Sequence, residues 1–287
     1  LSGTSTHDTK RGEDARARLY TLTEAPQRWA DCVSRWREIN QDQVVRLKDG
    51  PAPEPAVEWM LYEALAGVWP TTLQPDDAEG LAALEARFVV YVEKALREAK
   101  LRTDWADNND AYEEAVLGYA RHLLSPASHA FLNDFCEALQ PFIRAGLVNS
   151  LTQTVVKLTA PGVPDIYQGS EALDFSLVDP DNRREPDFDA LAAMLRAPQH
   201  DGSEAHWRRG QVNQQAIVKL LALRQQQPDL FRHGDYLALE AGGGQPDKVL
   251  AFARTHGDQA VIVIVSRRVF DALPENLDQP PAARWAE

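Results

Sequence analysis

The chain has 287 residues, of which 44% are hydrophobic and 25% are charged, as is typical of folded globular proteins. Its formal net charge of −13 argues against binding to nucleic acids or anionic membranes, since both favour clustered lysine and arginine. Two isolated cysteines, Cys32 and Cys136, give neither a disulfide framework nor a metal-ligand spacing. No apolar run approaches the roughly 20 residues that span a bilayer. We therefore expect a cytoplasmic protein without a metal or cofactor, and without nucleic-acid or membrane partners.

The two ends of the sequence resemble interior segments of a protein. The first residue is Leu1 rather than Met, and residues 283–287 stop at a tryptophan-containing stretch without a terminating signal. This predicts a piece of a longer protein. A processed but complete protein is the alternative.

A long helical block follows a short polar opening. Residues 1–18 form the opening, and residues 19–150 are predicted to be almost entirely helical, with no β-rich segment. One helix is predicted over 77–100, because apolar residues recur every three or four positions and acidic residues precede it. A second is predicted over 130–145, with Gly146 as its end.

The pattern changes from residue 151. Two short apolar segments, 154–158 and 163–167, are separated by an Ala-Pro-Gly breaker, and the second is typical of a buried parallel strand that enters a loop. Residues 179–187 form a polar loop, and a helix is predicted over 212–226. Strands are then predicted over 236–239, 249–253 and 260–265. Glycine-rich turns separate these strands, which indicates an antiparallel β-domain.

The polar opening holds the candidate for chemistry, a His7-Asp8 pair in the string THDTKRGED. At the end of a strand in a (β/α)₈ barrel, a carboxylate can stabilise a developing oxocarbenium ion or bind sugar hydroxyls. The alternative is a turn in which Asp8 accepts backbone hydrogen bonds, while Lys10 and Arg11 lie in solvent.

Three segments, in order along the chain, resemble maltooligosyltrehalose synthases of the α-amylase superfamily. The string THDTKRGED resembles the end of that family's seventh barrel strand, and residues 99–113 resemble its helical insertion. Residues 147–184 resemble a further segment of the family, in which 162–171 correspond to the eighth strand and the following loop. The sequence departs from the family pattern at Asn109-Asp110 and at 184–186. The resemblance therefore does not extend to the details of the substrate pocket at these positions.

The resemblance implies an α/β fold, namely the last part of a (β/α)₈ barrel with a large helical insertion after strand seven and a C-terminal antiparallel β-domain. This chain itself would be mostly α-helical. The implied parts are the end of strand seven with its loop (1–18), the insertion (19–150), strand eight with the following helices (151–230) and a truncated β-domain (231–287).

The resemblance also implies roles for site residues. Asp8 would be the carboxylate that stabilises the transition state, and His7 would hydrogen-bond the sugar ring. The nucleophile and the general acid would lie after earlier strands that this chain does not contain, so the chain alone is expected to be inactive.

Six further side chains are candidates for substrate binding. Lys10 and Arg11 either contact substrate or pair with Glu13 and Asp14. Aromatic rings suit the apolar face of a sugar, and the alternative for such residues is helical core packing. The aromatic candidates and those next to strand eight are Trp105, Tyr112, Tyr167 and Gln168; the last two either line the pocket or support the loop.

The implied reaction is an intramolecular transglucosylation. It converts the reducing-end α-1,4 linkage of a maltooligosaccharide or α-glucan into an α,α-1,1 linkage, and a maltooligosyltrehalose trehalohydrolase would act next. One alternative is another glucan hydrolase or transferase of the same superfamily, without the long insertion. Another is a non-catalytic helical interaction module with a β-domain.

Overall fold

A computed structural model describes residues 2–197, 202–275 and 277, and helices dominate it. Its longer helices and its strands are, in order, α1 (Glu13–Leu19), α2 (Pro26–Asn40), β1 (Val45–Leu47), β2 (Gly50–Ala52), α3 (Pro55–Val68), α4 (Ala78–Ala99), α5 (Asp110–Leu124), α6 (His129–Thr159), α7 (Phe188–Arg196), α8 (Glu204–Arg208), α9 (Gln211–Gln226), α10 (Pro228–His233), β3 (Asp235–Leu239), β4 (Val249–His256) and β5 (Gln259–Ser266). The prediction of a mostly helical chain is confirmed.

The helical part encloses a core of aromatic rings contributed by α2, α3 and α6. Trp36 is fully buried, and its ring lies 5.0 Å from Phe135 and 5.4 Å from Tyr62, measured between centroids. Its indole nitrogen donates to Asp134 at 2.6 Å, so the one polar atom of the ring is satisfied. Large buried rings of this kind dominate core energetics and hold the helices together.

Several predicted elements are confirmed. Helix α4 occupies Ala78–Ala99, and the Asp77 carboxylate accepts from the Gly80 amide as an N-terminal cap. Helix α9 and strands β3, β4 and β5 lie within a few residues of their predicted bounds. The three strands form one antiparallel sheet in the order β3-β4-β5.

The predicted end of the second helix at Gly146 is wrong. Helix α6 continues from His129 through Gly146 to Thr159, so residues 154–158 are helical and not extended. A Cβ atom at Gly146 would lie 2.9 Å from the Arg18 Cα atom, which shows that this glycine permits close contact with α1. The stretch after it packs on α1, α9 and β5, and such an apolar run cannot be distinguished from a strand by periodicity.

Two further predictions of β-structure are corrected. The helical block contains a short antiparallel hairpin, β1-β2, in which Val45 pairs with Ala52. Conversely, residues 163–167 do not form a full strand, since their only bridge among the described residues is a parallel one between Pro164 and Ser2. Pro164 has no amide hydrogen to donate to a ladder, which disfavours a regular strand at this position.

The β3-β4-β5 sheet is joined to the helices by a buried arginine. Arg254 on β4 donates to the carbonyl oxygen of Gly234 at 2.8 Å and to that of Thr159, at the end of α6, at 3.3 Å. The sheet therefore contacts the end of the longest helix directly. Within the described ranges, no helix is both long and apolar enough to cross a membrane.

Candidate functional site

The His7-Asp8 pair lies in an exposed turn between Thr6 and Thr9. The Thr9 amide donates to the Thr6 carbonyl at 3.2 Å, and the Asp8 amide donates to the Thr6 hydroxyl at 3.2 Å. Nε2 of His7 lies 3.2 Å from Oδ2 of Asp8, and the Asp8 side chain is 84% exposed. The turn therefore presents an imidazole and a carboxylate side by side to solvent.

The segment before this turn runs parallel to the segment that resembles strand eight. The Ser2 amide donates to the Val163 carbonyl at 2.7 Å, and the Asp165 amide donates to the Ser2 carbonyl at 3.2 Å. Two strand-like segments that are more than 150 residues apart in sequence are thus neighbours. The turn with His7 and Asp8 follows the first of them, and Tyr167 with Gln168 ends the second.

The loop after the second segment packs against the opening of the chain. The Gly12 amide donates to the Ser176 carbonyl at 2.8 Å. A Cβ atom at position 12 would lie only 2.5 Å from the Asp174 carbonyl oxygen, so this approach requires glycine. The Asp174 amide in turn donates to the Asp14 carboxylate at 2.5 Å. Burial raises the pKa of Asp14 to about 7, and the neighbouring Glu13 carboxylate adds to this increase.

A cavity of about 340 Å³ lies within this loop. Tyr167 and Gln168 line it, together with Asn182 and Arg184 from the polar run after Asp179. Asn182 donates both to the Thr6 carbonyl at 3.1 Å and to the His7 carbonyl at 3.0 Å. Because one side chain both lines the cavity and bonds to the turn, the cavity adjoins the His7-Asp8 pair.

One face of α4 contacts the polar run 179–187. Arg87 makes a two-pronged ion pair with Asp181, with distances of 2.7 and 2.8 Å. Burial opposes ionisation of Asp181, but the Arg87 guanidinium and the Leu177 amide lower its pKa below the ordinary value. Lys94 donates to the Asp179 carbonyl at 2.8 Å.

The same face of α4 binds the two basic residues that follow the turn. Lys10 pairs with Glu98 at 3.3 Å. Arg11 donates to the Tyr91 hydroxyl at 2.8 Å, and its guanidinium lies over the Tyr91 ring. The expected pairing of Lys10 and Arg11 with Glu13 and Asp14 is therefore wrong. Glu13 is buried and pairs with Lys157 on α6 instead, at 3.2 Å.

The two aromatic candidates in the helical block have opposite environments. Tyr112 is 2% exposed, its hydroxyl donates to Glu54 at 2.8 Å, and the Arg102 guanidinium covers its ring at 4.1 Å. Stacking of Tyr112 on a sugar is contradicted, because the ring lies on the inner face of α5. Trp105 is 60% exposed and stacks on Arg97 at 4.9 Å, so the alternative of core packing is wrong for this residue.

Sequence reasoning missed the residues that join the parts of the site. Asn182, Asp181 and Arg87 carry the contacts between the turn, the loop and α4. The polar run 179–187 was recognisable as a loop, but nothing in it indicated which residue faces the turn. Among the residues with described positions, no group of three or more His, Cys, Asp or Glu side chains could hold a metal ion.

Comparison with known proteins finds maltooligosyltrehalose synthases. No family model matches the chain. A putative maltooligosyl trehalose synthase of Mycobacterium tuberculosis (strain H37Rv) is 35% identical over 260 residues, which are 91% of this chain and 30% of the relative. The crystal structure of a maltooligosyl trehalose synthase matches with a TM-score of 0.76 at 27% identity, over 92% of this chain and 33% of that chain. The maltooligosyltrehalose synthase of Arthrobacter ramosus gives a TM-score of 0.71 at 31% identity, over 94% and 32%. Over nearly its whole length the chain is therefore similar to maltooligosyltrehalose synthases, and it spans about a third of the length of the relatives that it matches.

Proposed function

We propose that this chain is the part of an α-glucan-rearranging enzyme that supplies the carboxylate stabilising the transition state. The reaction converts the reducing-end α-1,4 linkage of a maltooligosaccharide into an α,α-1,1 linkage. The observation that carries the proposal is the match to maltooligosyltrehalose synthases over 91% of the chain. The His7-Asp8 pair lies in a turn that is hydrogen-bonded to Asn182, a residue that lines the cavity.

Asp8 is the residue that we assign to the reacting centre. Cleavage of a glycosidic bond with retention proceeds through an oxocarbenium-like transition state and a covalent glycosyl-enzyme, and it needs a nucleophile and an acid about 5 Å apart. Neither group is assigned to this chain. The Asp8 carboxylate, held beside His7, would face the positive charge that develops on the sugar ring. His7 would donate to a sugar hydroxyl.

The remaining candidates would bind the substrate around this centre. Tyr167 and Gln168 would contact a glucose unit in the cavity. Lys10 and Arg11 are held on α4, so their proposed role is to shape the rim of the site. Trp105 offers an exposed ring that could cover the freed glucose.

The rearrangement requires that the freed glucose stays bound until its anomeric hydroxyl attacks the glycosyl-enzyme. If water attacks first, the products are those of hydrolysis. We propose that residues 19–150, an insertion between barrel strands seven and eight, retain the glucose. In the rest of the chain, residues 1–18 and 151–230 would belong to the barrel, and residues 231–287 would belong to a truncated β-domain. The proposed location is the cytoplasm, with a trehalohydrolase acting on the product.

An assay with maltopentaose tests the proposal in two preparations, this chain alone and the protein in which it is joined to the preceding barrel strands. The joined protein should consume reducing ends without an equal release of glucose. This chain alone should leave the substrate unchanged. Rising reducing ends in the joined protein would indicate a hydrolase instead, and loss of reducing ends with this chain alone would contradict the assignment of the nucleophile to another part.

A further inference from the structure

The hydrogen bonds within the turn that carries His7 and Asp8 are local and exposed to solvent. They join Thr6, Asp8 and Thr9, and both His7 and Asp8 have exposed side chains. Exposed turns held by local hydrogen bonds open with little free energy. A carboxylate that must meet a developing charge needs a more fixed backbone than these bonds provide.

Asn182 supplies a restraint from outside the turn. Its amide nitrogen donates to two consecutive carbonyl oxygens, those of Thr6 and His7, at 3.1 and 3.0 Å. Because both partners are acceptors, only the NH₂ group of the amide can face them. The residue is 8% exposed, and its Oδ1 atom is buried with no hydrogen-bond partner among the described residues. The two donated bonds therefore set the orientation of the amide.

Asn182 is itself fixed by its neighbours. It lies in the short 3₁₀ helix Asp181–Arg183. The preceding residue, Asp181, accepts from Arg87 through both oxygens and from the Leu177 amide at 2.7 Å. A rigid contact therefore runs from α4 through this helix to the two peptide groups that flank His7.

We propose that Asn182 is a positioning residue for Asp8. It holds the carbonyls of Thr6 and His7, and through them it sets the direction in which the Asp8 carboxylate points. This inference rests on the proposed function of the turn. It assigns Asn182 no contact with the reacting atoms, so its effect is on the alignment of Asp8 and not on the affinity for substrate.

Two substitutions separate this role from simple packing. Asn182→Asp keeps the size of the side chain but places oxygen atoms against two carbonyls, so the bonds are lost and repulsion replaces them. Asn182→Ala removes the donors without adding repulsion. The control is Asn149→Ala, since Asn149 also donates from its amide to one backbone carbonyl, that of Ala17 at 3.2 Å, away from the turn.

The first measurement is hydrogen exchange at the Asp8 and Thr9 amides in this chain, with the melting temperature recorded for each variant. Both Asn182 variants should exchange about tenfold faster than wild type at these two amides, because the turn opens more often. Asn149→Ala should leave them unchanged. Unchanged exchange in folded Asn182→Ala would overturn the proposal, whatever the activity of the protein.

The second measurement is steady-state kinetics of maltopentaose rearrangement in the protein joined to the preceding barrel strands. We expect kcat to fall about 10- to 100-fold in both Asn182 variants, with KM within about threefold of wild type, since misalignment of a catalytic group affects the transition state. A rise in KM at constant kcat would make Asn182 a substrate-binding residue and overturn the positioning role. An inactive wild-type protein would contradict the proposed function, and the exchange experiment would still decide the inference.

Discussion

Helices α1 and α6 touch at Gly146, and replacing this glycine with alanine should destabilise the chain. The added Cβ atom would lie 2.8 Å from the Cβ atom and 2.9 Å from the Cα atom of Arg18. One of these atoms is backbone, so a rotamer change cannot relieve the overlap and the helices must separate. Arg18 is fully buried and donates to the Ala66 and Trp69 carbonyls at 2.9 and 2.6 Å, so movement of α1 also disturbs those bonds.

The expected size combines two opposing effects. Overpacking of a core costs about 1–3 kcal/mol, while glycine to alanine inside a helix gains about 1 kcal/mol. With two contacts below 3 Å we expect the upper part of the packing cost, and hence a net loss of about 1–2 kcal/mol. Gly118 on α5 is the matched control, because a Cβ atom there would have no neighbour from another part of the described structure within 4 Å. Gly118→Ala should stabilise by up to about 1 kcal/mol.

Urea unfolding of the two variants and wild type measures both effects. The difference between Gly146→Ala and Gly118→Ala cancels the helix-propensity gain and leaves the packing cost, about 2–3 kcal/mol. Equal stabilisation by both substitutions would refute the close approach of α1 and α6, and with it our explanation of why the helix continues through Gly146.

Three further predictions concern the candidate site. Asp8→Asn in the joined protein should lower the rate of rearrangement by orders of magnitude, and because the side chain is 84% exposed the melting temperature should not change. Trp105→Ala should release more free glucose per trehalose linkage formed, since a stacking contact on the order of 1 kcal/mol is lost; an unchanged product ratio would contradict the covering role. Asp14 has a pKa raised to about 7, so between about pH 4 and 7 the folded chain binds more protons than the unfolded chain. The contribution of Asp14 to the free energy of unfolding therefore falls as the pH rises through this window. Asp14→Asn cannot ionise, so its stability relative to wild type should increase as the pH rises from 5 to 7 in thermal melts. A constant difference over this range would contradict the raised pKa of Asp14.

The sequence by itself indicated the resemblance to maltooligosyltrehalose synthases and determined the elements whose signals are local. Three segments that match in order along the chain carry that resemblance, and the comparison with known proteins agrees with it. The bounds of α4, α9 and β3 to β5 followed from periodicity, capping residues and turn residues, each of which acts over a few positions. The His7-Asp8 pair was also recognisable, because its neighbours in sequence carry the resemblance.

Tertiary structure alone decided which residues meet. Glycine is common at the end of a helix, and Gly146 was therefore expected to end α6. Instead the backbone of α1 packs on Gly146 and the helix continues. Tyr112 and Trp105 are both aromatic candidates, and only packing distinguishes the buried ring from the exposed one. Asn182 contacts the carbonyl of His7 from 175 positions away. No periodicity or spacing encodes such a contact, because it depends on how α4 and α6 bring distant loops together.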